Sequence, residues 1–203
     1  MGTEDKIILA HGSGGKLTRE LVSDSFLRKF PHPVLAELDD SARVQMGSDR
    51  ICFTTDSYVV KPLFFPGSDI GELAVYGTVN DLAVMGAEPL YISCALIIEE
   101  GLERGVLERV TESIAEACGT AGVSVVTGDT KVVESGGADQ LFINTSGVGL
   151  LPQGRELGID RIAPGDRVLI SGTIGDHAIA VLAAREDLGL KLSELKSDCA
   201  PLN

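Results

Sequence analysis

The sequence GTVNDLAVMGAEP occupies residues 77–89 and decides the fold of the segment around it. Its apolar residues recur at helical spacing and continue a pattern that begins at Leu73, which predicts a helix over residues 70–85. We expect Gly86 to end this helix in a left-handed cap, with Pro89 just beyond it.

The same helix carries an amide and a carboxylate, Asn80 and Asp81, inside its apolar pattern. Burying both groups is unfavourable unless something pairs with them, and a cation is a suitable partner. Most aspartates in the middle of a helix are simply solvated. Because Asp81 closely follows Val79 and shares its turn with Leu82, we favour a functional role and predict that it binds a cation.

Composition and charge narrow the class of protein. The 203 residues suit one large domain or two small ones, and 44% hydrophobic content with few aromatic residues favours a mixed α/β core of Val, Ile, Leu and Ala. The formal net charge of −13 disfavours nucleic-acid binding. A nucleotide ligand would need a divalent metal between the protein carboxylates and its phosphates.

Cysteine usage and apolar runs predict a cytoplasmic protein. The four cysteines are widely spaced and form no CxxC pair, which fits free thiols in a reducing compartment. The first six residues are too charged for a signal peptide. The longest apolar run, residues 90–98, is too short to cross a bilayer, so we expect no membrane partner.

The remaining periodicities predict two units. Strands are expected at residues 51–55, 91–98, 123–127 and 141–151, with further helices at 17–30 and 106–118. The strand at 91–98 shows no polar alternation, so we expect both of its faces to be covered. After a boundary loop, a strand at 166–171 and a helix at 176–186 begin a new unit. We therefore predict a domain at 1–153 and an incomplete second domain at 154–203.

The glycine-rich loop of residues 12–16, GSGGK, precedes a predicted helix. Backbone N–H groups in such a loop, together with a helix N-terminus, can bind phosphate. The spacing is not that of a Walker A loop, since Leu17 stands where that loop has Ser or Thr. A lone glycine-rich loop near a terminus is more often a flexible lead-in than a phosphate-binding loop.

Acidic residues stand at or near the ends of several apolar runs, where separate elements can bring them together. Mg²⁺ prefers a few carboxylates, retained waters and phosphate oxygens. The pair Asp39-Asp40 could instead simply form a turn. Lys131, two residues after Asp129, could supply positive charge to a phosphoryl group, or be an ordinary surface lysine. The candidate metal ligands are Asp39, Asp40, Asp56, Asp81 and Asp129.

Five stretches together resemble the HypE family of hydrogenase maturation factors, which lies within the PurM-like superfamily of aminoimidazole ribonucleotide synthetase. They are GSGGK at 12–16, TTDSYVV at 54–60, PLFFPG at 62–67, TVNDLAVMGA at 78–87 and TGDTKVV at 127–133. The resemblance covers essentially the whole chain. It implies an α/β (α+β) N-terminal domain with a mixed sheet and flanking helices, plus the start of an α/β C-terminal domain.

The resemblance implies an ATP-dependent carbamoyl dehydratase with Mg²⁺. Such an enzyme receives a carbamoyl group on a terminal cysteine from HypF and converts it to a thiocyanate. The cyanide then reaches [NiFe]-hydrogenase through the HypC–HypD complex. A homodimer formed through the sheet is also implied. Family members run on for more than a hundred further residues, so we expect this chain to be truncated within the C-terminal domain and incapable of turnover alone.

The resemblance also implies roles for individual residues. Asp81 and Lys131 are expected to be catalytic. The aspartates named above are expected to hold metal and phosphates, with one of Asp39 and Asp40 contributing. The implied nucleotide-binding residues are Gly12, Ser13, Gly14, Gly15, Lys16, Asn80, Asp81, Thr127, Gly128 and Lys131.

Two alternative functions stay open on the sequence. One is another PurM-like enzyme that uses ATP, such as a thiamine monophosphate kinase. The other is a non-catalytic dimeric interaction module. Replacing Asp81 by Asn separates the classes, because an enzyme loses ATP turnover whereas a scaffold keeps its partner binding.

Overall fold

The computed structural model describes residues 6–155, 157–185 and 195–203. The mixed α/β class and the predicted helix around Asp81 are confirmed. In chain order the helices and strands are α1 (Lys16–Val22), α2 (Pro33–Glu37), β1 (Ala42–Met46), β2 (Asp49–Tyr58), β3 (Phe64–Phe65), β4 (Ser68–Asp69), α3 (Ile70–Val84), β5 (Glu88–Glu99), α4 (Arg104–Ala121), β6 (Ser124–Val133), β7 (Leu141–Leu151) and α5 (Asp176–Arg185).

Five strands form one mixed sheet in the order β1-β2-β7-β5-β6. Only β5 and β6 run parallel, and α4 is the crossover that a parallel pair requires. The other neighbours in this sheet are antiparallel. The short strands β3 and β4 form a separate hairpin directly before α3.

Helix α3 is the central helix of the core. Asp69 caps its N-terminus, accepting the N–H groups of Gly71 and Glu72 at 2.7 and 3.2 Å. Gly86, at φ +82°, follows its C-terminus as the sequence predicts. Gly147 of β7 lets the helix approach the sheet, because a Cβ there would lie 2.7 Å from Thr78 Cγ2.

The two faces of the sheet differ in cover. Helices α3 and α4 pack on one face, where Ile92 of β5 is buried. On the other, which we call the open face, Tyr91 and Ile97 are 52% and 40% exposed. The expectation that both faces of this strand are covered is therefore not met within a single chain. Strand pairing and alternation place on the open face Thr55, Ser57, Ser93, Ala95, Thr127, Asp129, Lys131, Asn144 and Ser146.

The structure after β7 differs in part from the sequence prediction. Residues 166–171 form no strand, and Val168 and Leu169 are each 90% exposed. Within the described residues no neighbouring strand pairs with them, and a strand needs such a ladder. Helix α5 lies where a helix was predicted, although Glu186 falls outside the described residues.

The described residues 197–203, which we call the strap, run back to the first unit. Ser197 donates its N–H to the carbonyl of Pro66 at 2.8 Å, beside the β3–β4 turn. Asn203 donates its side-chain N–H to the carbonyl of Ala121 at 2.9 Å, at the end of α4. The strap therefore crosses the region of α3 between these two anchor points.

Candidate functional site

Asp81 projects from α3 toward strand β2. Its Oδ2 accepts a hydrogen bond from Thr54 Oγ1 at 3.2 Å, and its backbone carbonyl accepts one from Ser41 Oγ at 2.7 Å. Because strand residues two apart share a face, Thr54 and Asp56 both point to the side of the sheet that α3 covers. Helix and strand therefore place carboxylates and hydroxyls in one small region.

The Asp81 carboxyl has an unusual protonation equilibrium. Partial burial is the main cause and raises its pKa to about 6 from the usual 3.8. The hydrogen bond from Thr54 lowers the pKa, whereas the nearby carboxylates of Asp40 and Asp56 raise it. The site is therefore deficient in positive charge, and a cation would relieve that deficiency.

Asp40 belongs to the turn before β1 and lies near Asp81 of α3. Its backbone carbonyl lies 2.9 Å from Thr54 Oγ1, so the single hydroxyl proton of Thr54 is shared between this carbonyl and Asp81 Oδ2 and links the turn to the helix. Its side chain and that of Asp81 line a common cavity of about 390 Å³. Together the two carboxylates provide hard oxygen ligands of the kind that Mg²⁺ takes.

Asp39 is engaged elsewhere. Its Oδ2 accepts a hydrogen bond from Arg43 Nη2 at 3.1 Å, and the same nitrogen lies 3.4 Å from Glu37. Arg43 Nη1 also donates to the carbonyl of Leu157 at 3.3 Å. This ion-pair network fixes the turn that carries Asp40, which indicates a structural role for Asp39.

Asp129 lies away from the other carboxylates in the single chain. In the strand register it is aligned with Ala95, Asn144 and Ser57, three strands from β2, a separation of about 14 Å. Ser57 faces the open side, so Asp129 and Asp56 occupy opposite faces of the sheet. Among the described residues no group of three His, Cys, Asp or Glu side chains is arranged to hold one metal ion.

Lys131 forms an ion pair with Asp129 on strand β6. Its Nζ lies 2.7 Å from Asp129 Oδ2, and this lysine lowers the pKa of the aspartate. Both side chains are well exposed on the open face. Thr127 shares that face, whereas Gly128 has a packing role, since a Cβ there would clash with the carbonyl oxygen of Cys94.

The glycine loop of residues 12–16 lies beside the turn that carries Asp39 and Asp40, which we call the acidic turn. The loop is exposed, Lys16 begins α1, and the Gly14 N–H donates to Thr18 Oγ1 at 2.9 Å. A cavity of about 390 Å³ lies between the loop and α2 and includes Leu38 and Asp39 in its lining. The same two residues line a second cavity of about 380 Å³ with Asp40 and Thr54. The two cavities therefore adjoin.

Asn80 lines the same cavity as Asp40 and Asp81, and its amide is held by the strap. Its Nδ2 donates to the carbonyl of Ala200 at 3.0 Å, and its Oδ1 accepts the N–H of Leu202 at 2.8 Å. The side chain is therefore bound to the backbone of the strap. Its neighbour Asp81 faces Thr54 instead.

Sequence reasoning missed the hydroxyl groups of the site. Ser41 directly follows Asp40, and Thr54 precedes Asp56 by one strand period, so their positions carried a detectable signal. A further row of hydroxyls crosses the open face, where Ser146 Oγ donates to Thr55 Oγ1 at 3.0 Å. The Ser146 N–H donates to Ser93 Oγ at 2.9 Å, which continues this row toward β6.

The mixed sheet and the acidic turn beside α3 define a domain class. Residues 38–151 match the family described as AIR synthase related protein, N-terminal domain. This match spans more than half of the chain, and the chain belongs to that family. Within the described residues no helix is both long and apolar enough to cross a bilayer.

Individual relatives point to one branch of this family. The chain is 50% identical over 203 residues to the carbamoyl dehydratase HypE of Escherichia coli (strain K12), covering 98% of this chain and 60% of that protein. A solved HypE–HypF complex matches with a TM-score of 0.83 and 50% identity, over 90% of this chain and 58% of the other. HypE solved with ATP matches with a TM-score of 0.73 and 48% identity, over 98% of this chain and 58% of the other.

The chain spans about 60% of the length of these curated relatives. The similarity confirms the family resemblance drawn from the sequence.

Proposed function

We propose that this chain is the ATP-binding part of a HypE-type carbamoyl dehydratase, which acts in hydrogenase maturation in the cytoplasm. The observation that carries the proposal is the half-buried Asp81 carboxylate beside Asp40, with its pKa raised to about 6. It stands in a chain about half identical to a protein solved with ATP. The thiamine monophosphate kinase alternative is not favoured, since the strong similarity is to HypE.

The donor set fits Mg²⁺. That ion typically takes one or two protein carboxylates and completes its coordination with water and phosphate oxygens. Asp81 and Asp40 would be those carboxylates, and Asp56 is near enough to add negative charge. When bound, the ion would neutralise the phosphates and polarise the transferring phosphoryl group.

The chain's own groups would bind and orient the nucleotide. The N-terminus of α1 and the glycine loop before it would approach the phosphates across the cavity that this loop shares with Asp39, although the Gly14 N–H is already donated to Thr18 Oγ1. Thr54 would hold the Asp81 carboxylate toward the cation through the 3.2 Å hydrogen bond. In the whole enzyme, phosphoryl transfer to the carbamoyl oxygen and loss of phosphate with two nitrogen protons would leave the thiocyanate.

We further propose that the chain forms a homodimer through the open face. The exposed Tyr91 and Ile97 on a strand with no polar alternation favour cover by a second sheet. We propose that Asp129 and Lys131 of one subunit then reach the nucleotide of the other past the edge of the sheet, because Asp81 itself lies on the covered face. This arrangement would give both residues the role that the family resemblance implies, although they lie far from Asp81 within one chain.

The remaining partners are proposed from the relatives. HypE has been solved with HypF, so HypF is the proposed carbamoyl donor for the whole protein. The HypC–HypD complex is the proposed acceptor of the cyanide group. For the domain boundary we retain residues 1–153 as the ATP-site unit and 154–203 as the beginning of the second unit.

ATP binding tests the central proposal. In calorimetric titrations of the chain, ATP should bind with Mg²⁺ and lose its affinity with EDTA. Asp81→Asn should abolish the Mg²⁺-dependent binding. The matched control Asp139→Asn, an exposed aspartate paired with Lys61, should retain it. Equal ATP affinity in the Asp81 variant and the parent chain would exclude the proposed site.

Subunit mixing tests the shared site. Asp81→Asn and Lys131→Ala chains should each bind little ATP alone. If each site takes Asp81 from one subunit and Lys131 from the other, random mixing should restore about a quarter of the binding capacity, because half of the dimers are mixed and have one intact site. No recovery in a preparation shown by sedimentation to be mixed dimers would refute the shared site.

A further inference from the structure

Asn80 and the strap form a contact that the proposed ATP site does not explain. The Asn80 amide bonds the strap backbone on both sides of Pro201, through the carbonyl of Ala200 at 3.0 Å and the N–H of Leu202 at 2.8 Å. Because Pro201 has no N–H, the Asn80 Oδ1 accepts its hydrogen bond from the next residue, Leu202. The two partners fix the orientation of the amide.

A second anchor holds the other end of the strap. The Ser197 N–H donates to the carbonyl of Pro66, and the strap passes directly over Gly67. A Cβ on Gly67 would lie 2.9 Å from the backbone nitrogen of Ser197, and the φ of +90° at Gly67 also suits glycine. The turn is therefore shaped for close approach of the strap.

Between its anchors the strap is packed rather than loosely laid. Cys199 contacts the main hydrophobic core and is half-buried, and its N–H donates to Ser197 Oγ at 3.1 Å. Burial raises the pKa of the Cys199 thiol. His177 of α5 also meets the strap, with its Nδ1 at 3.1 Å from Ser197 Oγ. The strap thus connects α5 with α3.

The strap reaches the acidic site at Leu202. This residue lines the cavity of about 390 Å³ that also includes Asp40, Asn80 and Asp81 in its lining. Asn80 is therefore placed to act on the site through the strap, one residue from the proposed cation ligand.

We propose that Asn80 is a positioning residue that anchors the strap as one wall of the cation site, and that it is not a nucleotide ligand. The inference rests on the proposed ATP-binding function for its effect on the site. The proposal depends on the two hydrogen bonds between Asn80 and the strap and on the contact of the strap with Gly67.

Two variants that act at opposite ends of the strap test the proposal. Asn80→Ala removes both hydrogen bonds beside the site. Gly67→Ala displaces the strap at the β3–β4 turn, while Asp81 lies about 17 Å farther along the axis of α3 from its first residue. Gly105→Ala is the matched control, since a Cβ there meets nothing within 4 Å.

The first readout is modification of Cys199 by a thiol reagent in the folded chain, with the modified residue identified by peptide mass. Loss of two hydrogen bonds should raise the labelling rate about tenfold in Asn80→Ala by opening the strap. Gly67→Ala should also raise it, and the control should not. Unchanged labelling in Asn80→Ala would overturn the proposal, whether or not the chain binds ATP.

The second readout is affinity for ATP with Mg²⁺. Both strap variants should weaken the affinity for ATP by roughly threefold to thirtyfold. The double variant should bind ATP no more weakly than the single variant with the lower affinity. If Asn80→Ala weakens binding and Gly67→Ala opens the strap without doing so, Asn80 is a direct ligand and the proposal is wrong. A parent chain that binds no ATP would refute the proposed function alone, because Cys199 labelling tests the strap independently.

Discussion

Asp81→Asn should make the protein more stable at neutral pH while removing its ATP binding. The folded state raises the pKa of this carboxyl from 3.8 to about 6. A raised pKa means that the charged form is disfavoured in the folded chain. Ionised Asp81 therefore destabilises the fold, and a neutral amide of the same shape should not.

The magnitude follows from the shift. About two pKa units at 1.36 kcal/mol each give an upper limit of about 3 kcal/mol. Because Asp81 is only partly buried, solvent screening reduces this, and we expect about 1–2 kcal/mol. A gain in stability of this size, together with a loss of ATP binding, is expected where a protein keeps an unfavourably buried charge for function.

The pH dependence gives the sign. Below about pH 4 the carboxyl is protonated in both the folded and the unfolded chain and has no effect. Between about pH 4 and pH 6 the unfolded chain has already lost this proton while the folded chain still holds it. The parent therefore loses stability relative to the variant across this window. Above that window the difference stays constant.

Urea unfolding of both proteins at equal concentration across pH 4–8 measures this difference. Asp129→Asn is the control, because Lys131 lowers the pKa of that exposed aspartate and the effect should have the opposite sign. An Asp81 variant with the same stability as the parent at pH 7.5, or with a gain that does not shrink toward pH 4, would refute the reasoning.

Three further variants test the packing around the site. Tyr58→Phe removes a buried hydroxyl bonded to Thr78, so the free energy of unfolding should fall by about 1 kcal/mol in urea; no change would mean that this hydrogen bond adds nothing. Gly147→Ala should lower it by about 1–3 kcal/mol through a clash with Thr78, whereas the open-space control Gly105→Ala should not; equal effects in thermal melts would contradict the close approach of α3. Arg43→Ala should lower the unfolding free energy by about 1–2 kcal/mol by breaking a half-buried ion pair, and a fully stable variant in the same urea titration would argue against that network.

Local patterns in the sequence determined much of the fold. The apolar periodicity of α3 and the glycine after it depend on neighbours within a few residues, so the helix and its C-terminal end follow from sequence alone. The same holds for the glycine loop before α1 and for the strands β2, β5, β6 and β7. The predicted strand at 166–171 was wrong, because a strand also needs a partner.

The composition of the site could be predicted only in part. Asp81 and one of Asp39 and Asp40 were predicted from their positions, and the structure brings Asp81 and Asp40 to one cavity. Asp39 and Asp129 carry the same sequence signal, yet one is bound by Arg43 and the other lies across the sheet. The neighbouring residues in the sequence do not show which side chain each carboxylate contacts in the folded protein.

Tertiary structure alone decided which groups face each other. The sheet order and the alternation of side chains put Asp56 and Asp129 on opposite faces, and both depend on pairing between distant strands. Asn80 and Asp81 are neighbours in the chain, but α3 directs one to the strap more than a hundred residues away and the other to Thr54. The sequence determined that this helix carries polar groups into a packed region, and long-range packing determined what each of them binds.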